Sequence, residues 1–221
     1  MKILVAGANG KIGTMLCGKL WAHAYFSPIA LIRDLRQQLK FTALGVPSVV
    51  GDLEAGVADF LPGLDAVVFT AGSGSRTGPE KTIDVDQDAA IRLMEDCEKA
   101  GVRRFFMVSA IGSDPNSESD RIQHYYRAKG VADQKLRASS LDYVILQPGH
   151  LTDDPGTGCI EAAEDLGRRG TISREDVADA IVASLENPSA IGKTIQVLGG
   201  SFAITAAIAE AVGGEYLPPI A

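Results

Sequence analysis

Cysteine is scarce in this chain of 221 residues. Cys17, Cys97 and Cys159 stand far apart, odd in number and without a C-x-x-C pair. That excludes a disulfide framework and a cysteine zinc site, and it fits a reducing compartment. Basic charge is also short: 21 Lys and Arg against 28 Asp and Glu give a formal net charge of −7. A nucleic-acid surface, with its basic stripe, is therefore not expected. No apolar run approaches the ~20 residues of a membrane span. The start, "MKILVAGANG", lacks the long apolar stretch and small-residue cleavage site of a secretory leader. Repeats, low-complexity tracts and metal-ligand spacings are absent too. The expectation is a cytoplasmic protein with a small-molecule substrate, no nucleic-acid or membrane partner and no metal. Assembly as a homo-oligomer stays open.

What is present is an ordinary globular composition, 46% hydrophobic and 22% charged, with enough apolar residues for a sizeable core. Short apolar runs recur: Ile3 to Val5, "PIALIRD", "SVVGDL", "DAVVFTAG", "RRFFMVSA", "DYVILQPG" and "KTIQVLGG". They read as strands, and their continuous apolar character suits parallel strands buried on both faces. Helical spacing separates them. Ile12, Leu16 and Leu20 share one face, and so do Ala90, Leu93, Met94 and Cys97 in a helix expected from Asp84 to Ala100. Further helices are expected over Asp120–Ala138 and Thr205–Val212. Ser173 and Asp176 resemble a capping box at the start of another. "HLTDDPGTGC", His150 to Cys159, reads as a mobile loop. Strands alternating with helices imply an α/β fold, a Rossmann-type doubly wound parallel sheet. It is expected as a single domain, residues 1–221, with residues 149–221 adding a small substrate-side lobe.

Gly7, Gly10 and Gly13 form G-x-x-G-x-x-G directly after a strand and at the start of a helix. Glycines there permit a tight turn, close approach of backbone to a pyrophosphate, and helix packing on strand. The helix N-terminus adds free N–H groups and a positive dipole end. Asn9, Lys11 and Ile12 belong to the same loop. Twenty residues past Gly13 come Arg33 and Asp34. An arginine there suits the 2′-phosphate of NADP and an acid the ribose of NAD. The order favours NADP, with NAD still possible, and Lys11 adds a second cation nearby. Two later strand ends should border the same cleft: Asp52 and Leu53 in "GDL", and Ala71 and Gly72 in "TAGSGS".

"HYYRAKG", His124 to Gly130, places two tyrosines beside a lysine. Tyr125 and Lys129 are four apart and Tyr126 and Lys129 three apart, so helical geometry lets either pair share a face. A lysine ammonium close to a tyrosine should lower its pKa from about 10. The bland alternative is an amphipathic helix with partly buried rings. His124 and His150 are pocket candidates, though each more commonly serves as a surface or structural residue. Asp153 and Asp154 could pair as carboxylates or only make a turn.

The ordered set "GANGKIG", "GDL", "AG", "RRFFMVSA", "YYRAK" and "LDYVILQPG" resembles the short-chain dehydrogenase/reductase superfamily. It looks closest to atypical NAD(P)-binding members of the epimerase/dehydratase and NmrA-like kind. The resemblance implies a nicotinamide cofactor and an active set of Ser or Thr, Tyr and Lys, with an Asn on the preceding helix. It selects Tyr125 over Tyr126 in Y-x-x-x-K. Lys129 would also hold the nicotinamide ribose. Ser109 takes the serine position, with Ser113 a weaker candidate. Ala110 stands where a second Ser or Thr is common, and Asp86 holds the Asn position. Gln147-Pro148-Gly149 replaces R-P-G, which leaves Pro148 as a cofactor contact. The implied activity is an NADP-dependent oxidoreductase or epimerase acting on a small carbonyl or hydroxyl compound. The departures leave two alternatives: an NAD(P)-sensing module without turnover, and an NADPH-dependent flavin or quinone reductase.

Overall fold

The apolar runs become the strands of one sheet. The computed structural model describes residues 1–74, 77–118 and 122–214. Part of the polar "GSGSRTG" loop, residues 75–76, and the expected helix start at Asp120 lie outside the described residues. In chain order the elements are β1 (Lys2–Ala6), α1 (Lys11–Ala22), β2 (Ser27–Ile32), α2 (Gln38–Ala43), β3 (Ser48–Val50) and β4 (Ala66–Phe69). Then come α3 (Pro79–Thr82), a π-helical segment (Ile83–Ala89), α4 (Ala90–Ala100), β5 (Arg104–Val108), α5 (Gln123–Arg137) and β6 (Asp142–Pro148). The chain continues through β7 (His150–Thr152), β8 (Cys159–Ala163), β9 (Thr171–Ser173), α6 (Arg174–Glu186), β10 (Lys193–Gly199), β11 (Phe202–Ala203) and α7 (Ile204–Ala211).

The large sheet runs β3-β2-β1-β4-β5-β6-β10-β8-β11. Pairing is parallel from β3 to β10, and β8 lies antiparallel to both β10 and β11. The first six strands follow the Rossmann order, whose direction reverses between β1 and β4. Alternate residues of β1 serve opposite faces. Ile3 and Val5 pack into a core shared with Leu16 and Leu20 of α1, Ile181 of α6 and Ile208 of α7. Leu4 and Ala6 join Leu93 and Met94 of α4 and Leu136 of α5. Helices therefore cover both faces, as the unbroken apolar strands imply. Among the described residues no helix is long and apolar enough to cross a membrane.

Several elements differ from the sequence expectation. The helix expected from Asp84 begins earlier, at Pro79, and passes through a π-helical stretch before the regular α4. Apolar spacing marks the α4 face but carries no sign of the wider turn. The helix expected to start at Asp120 is described from Gln123. Its interior Gly130 has a packing reason: a Cβ there would stand 2.3 Å from the backbone carbon of Asp114. The stretch expected as a mobile loop starts as β7, paired with β9. Asp153 binds Lys11 at 2.5 Å and Arg174 at 2.6 Å. The N–H groups of Gly156 and Gly158 donate to Glu175 and Asp176 at 3.0 and 2.9 Å. The acidic first turn of α6 thus holds the loop, a role that turn composition alone does not show. Ser173 does cap α6, with Asp176 N donating to its Oγ at 2.9 Å, while the Asp176 carboxylate accepts from the Ser173 hydroxyl rather than from its backbone N–H.

Candidate cofactor and active site

From the end of β1 the chain turns at once through Gly7 into α1. Gly7 has φ +86°, and a Cβ there would meet the backbone N of Ala71 at 2.5 Å. A Cβ on Gly13 would meet the Gly7 carbonyl oxygen at 2.4 Å. The glycine loop, the first turn of α1 and the end of β4 therefore touch backbone to backbone. Gly10 caps α1 with no side-chain bond, so the first N–H groups of the helix face whatever ligand the loop admits.

A cleft of about 350 Å³ opens beside the loop, in the crevice where strand order reverses. Gly7, Asn9, Gly10 and Arg33 line it, and so do Asp52, Leu53, Ala71 and Gly72. These eight were expected from four separate strand ends, and the fold brings them together. Gln37, Glu54 and Lys81 join them, with Lys81 Nζ donating to both Glu54 oxygens at 2.5 and 2.6 Å. The acid beside Arg33 turns away. Asp34 accepts from Arg36 N and Nε at 2.8 Å each, and these bonds hold its carboxyl down at about 2. At three other loop positions the structure shows a further role. Lys11 reaches Asp153, the Ile12 side chain enters the apolar core, and Gly13 serves as packing behind the loop. The cation that does meet the loop is Lys40, whose Nζ donates to Asn9 Oδ1 at 2.6 Å. A backbone cradle with no room for side chains, a helix N-terminus and polar strand ends fit a dinucleotide.

Behind Gly72 lies a buried polar cluster. Lys129 is 3% exposed and Asp86 0%, with Lys129 Nζ 3.1 Å from Asp86 Oδ1. That contact is an ion pair without hydrogen-bond alignment. Lys129 Nζ also donates to the Val108 carbonyl at 3.1 Å and stands 5.7 Å from the centre of the Phe69 ring. Asp86 Oδ2 accepts from Ser73 N at 2.9 Å, so one carboxylate joins the cleft loop to the lysine. Burial disfavours the ammonium, but Asp86 and the other acidic neighbours outweigh it and the Lys129 pKa is raised. Ser109 sits inward, its Oγ 2.7 Å from Asp133 Oδ2 and 2.9 Å from Ser113 Oγ. Gln147 Nε2 donates to the same Asp133 oxygen at 3.0 Å. Pro148 is the last residue of β6, and its carbonyl accepts from Ile111 N at 3.0 Å.

The two tyrosines separate clearly. Tyr126 is core-like, with Gly112 against its ring and the Arg169 guanidinium 5.8 Å from its centre. Tyr125 lies one turn before Lys129 on the same helix face and stays partly open. The expected lowering of its pKa is overturned. Desolvation by burial dominates, Lys129 opposes it, and the net shift is upward. Tyr125 is thus held as a phenol, a donor rather than a phenolate. Cys17 and Cys97 carry no reactive thiolate, since burial pushes both up to about 12.

Residues 7–188 match the family model described as NAD(P)H-binding. The chain belongs to the NAD(P)H-binding family. That match supports a nicotinamide cofactor for the chain, and the glycine cradle has a geometry that fits one. YhfK of Bacillus subtilis, named as an uncharacterized sugar epimerase, is 39% identical over 212 residues, 94% of this chain and 99% of that protein. A solved structure from Bacillus halodurans, provisionally named a NAD-dependent epimerase/dehydratase, is 37% identical. Its TM-score is 0.91 over 95% of this chain and 99% of that one. The oxidoreductase ylbE of Lactococcus lactis is 30% identical with a TM-score of 0.82, covering 99% of both chains. In this member of the family, sequence reading had placed Asp86 and Gln147 only as departures from a pattern and had not singled out Asp133 or Lys40. Asp86, Lys129 and Asp133 share one signal that could have found them: a charged residue on the apolar stripe of its helix.

Proposed function

We propose that the chain is an NADP-dependent oxidoreductase or epimerase acting on a small carbonyl or hydroxyl compound. Tyr125 carries this reading, as a partly open phenol one turn from a buried ammonium on the same helix face. The nicotinamide, when bound, exchanges a hydride with the substrate. Tyr125 supplies or takes the proton on the substrate oxygen, and the Lys129 ammonium partly offsets the burial that raises the tyrosine. Tyr125→Phe is expected to lower turnover of NADPH with a carbonyl panel by about 10²–10⁴-fold, while cofactor affinity measured by fluorescence titration stays unchanged. Equal turnover in the two proteins would sink the reading.

The NADP preference is supported by Arg33 lining the cleft while Asp34 is occupied by Arg36. Arg33→Ala should weaken NADPH binding roughly 10–100-fold, the worth of a hydrogen-bonded charge, and leave NADH binding unchanged. Equal losses for both cofactors would contradict the assignment. A second reading, direct hydride transfer to a flavin or quinone, is supported by Ser109 being engaged inward, away from any substrate oxyanion. Under that reading Tyr125→Phe keeps full activity with such acceptors.

A further inference from the structure

Asp133 is a buried carboxyl that the proposed chemistry does not use. It is 1% exposed, and its Oδ1 has no hydrogen-bond partner among the described residues. The groups facing it are Ser109 just past the end of β5, Gln147 from β6, and Tyr125, Lys129 and Arg137 along its own helix. Asp86, from the π-helical segment, is paired with Lys129. One ammonium therefore serves two buried carboxyls, and Asp86 has it. Asp133 is left with two uncharged neighbours in direct contact.

The hydroxyl geometry points the same way. Ser109 Oγ touches both Asp133 Oδ2 and Ser113 Oγ, and Ser113 Oγ also lies 2.8 Å from the Ala110 carbonyl. Each serine has one proton to give. If Asp133 is ionised, Ser109 must donate inward. Ser113 then has to serve both Ser109 and the carbonyl, and one short contact loses its proton. If Asp133 is neutral, every contact has one: Asp133 donates to Ser109, Ser109 to Ser113, and Ser113 to the carbonyl. Gln147 still donates to the acid, and the unpartnered Oδ1 is a carbonyl oxygen rather than half of a buried charge, which costs far less.

We propose that Asp133 is a positioning residue that works as the neutral acid, heading a one-way hydroxyl chain through Ser109 and Ser113 that pins residues 110–113. That loop packs against Tyr126, next to Tyr125. Ser109 then has no proton left for a substrate oxyanion. The inference stands whether or not the chain turns over substrate, so its test uses stability and spectroscopy.

In the unfolded chain an aspartate titrates at about 3.9. In the folded chain, burial raises Asp133. A raised acid makes the unfolded state the one that ionises first, so folding stability falls as pH rises between the two values. Asp133→Asn cannot ionise and can donate as the acid does, to Ser109 and to a turned Gln147 amide. Its Tm should equal that of the wild type near pH 4 and exceed it at higher pH, by about 2–4 °C or more. A lower Tm for Asp133→Asn at pH 8, or a difference independent of pH, would overturn the proposal. A second measurement needs no variant. In the wild type labelled with ¹³C at the aspartate carboxyl, the signal assigned to Asp133 through its backbone should stay at the protonated shift after the exposed aspartates have titrated. A carboxylate shift for it under those conditions would equally overturn the proposal.

Discussion

Asp86→Ala should destabilise the fold by about 3–5 kcal/mol, the usual loss when one half of a buried ion pair is removed. For a chain of this size that is roughly 6–20 °C in Tm. The reason is arithmetic of charge rather than of contacts. Lys129 Nζ has the Val108 carbonyl and the Phe69 ring besides Asp86, and neither of those carries a full negative charge. Without Asp86 an ammonium would remain in a place that water does not reach. Ser73 N would also lose its acceptor, loosening the loop that borders the cleft. Cofactor affinity should therefore fall together with stability. Lys129→Met alone should be costly for the mirror-image reason, since it strands the carboxylate. The double variant Asp86→Leu, Lys129→Met should recover a large part of the loss, because a buried pair replaced by apolar groups is often neutral. A urea-melt double-mutant cycle built from Asp86→Leu, Lys129→Met and the two combined measures this. Additive losses would show that the two residues do not act as a pair.

How far the sequence reveals this site depends on what each feature rests upon. The doubly wound sheet is readable because fully buried parallel strands must be apolar in unbroken runs, as "AVVF" and "FFMV" are. The cleft residues Arg33, Asp52 and Ala71 are readable because strand C-termini converge at one edge in such a sheet. Directions of side chains are another matter. Lys11 and Lys40 look alike as cations in the sequence, yet the first bridges to Asp153 and the second to Asn9. That choice depends on where the residues after β7 and β2 come to lie, a long-range fact with no local signal. The tyrosine shift fails for a similar reason. Spacing shows that Tyr125 and Lys129 are near each other, but the sign of the shift depends on burial, which competes with the charge and wins. Asp133 sits eight residues past Tyr125 on the same stripe. Its partners are Ser109, just past the end of β5, and Gln147 in β6, and only the pairing of those two strands brings them together.

Gly13→Ala should abolish cofactor binding, with an affinity loss beyond about 10²-fold by NADPH fluorescence titration, equivalent to ~2.7 kcal/mol or more. The added methyl would sit 2.4 Å from the Gly7 carbonyl oxygen and 2.8 Å from Ala8 Cα. Both obstacles are backbone, so no rotamer change relieves the clash. Either α1 shifts away from β1 or the glycine loop deforms, and both move the N–H groups meant for the pyrophosphate. Gly7→Ala should behave the same way with an added penalty, since φ +86° is a conformation that a Cβ resists. Gly18→Ala is the decisive control. It lies on the same helix with nothing within 4 Å of the new methyl, so it should bind NADPH as the wild type does. It should also gain up to about 1 kcal/mol in urea melts from helix propensity. A Gly13→Ala protein that binds NADPH normally would mean that the loop does not hold the dinucleotide by backbone contact. Loss of binding at Gly18→Ala as well would mean that α1 tolerates no change at all, and the contrast would say nothing about the loop. The two glycines are five residues apart on one helix, so the difference between them isolates close approach from helix propensity.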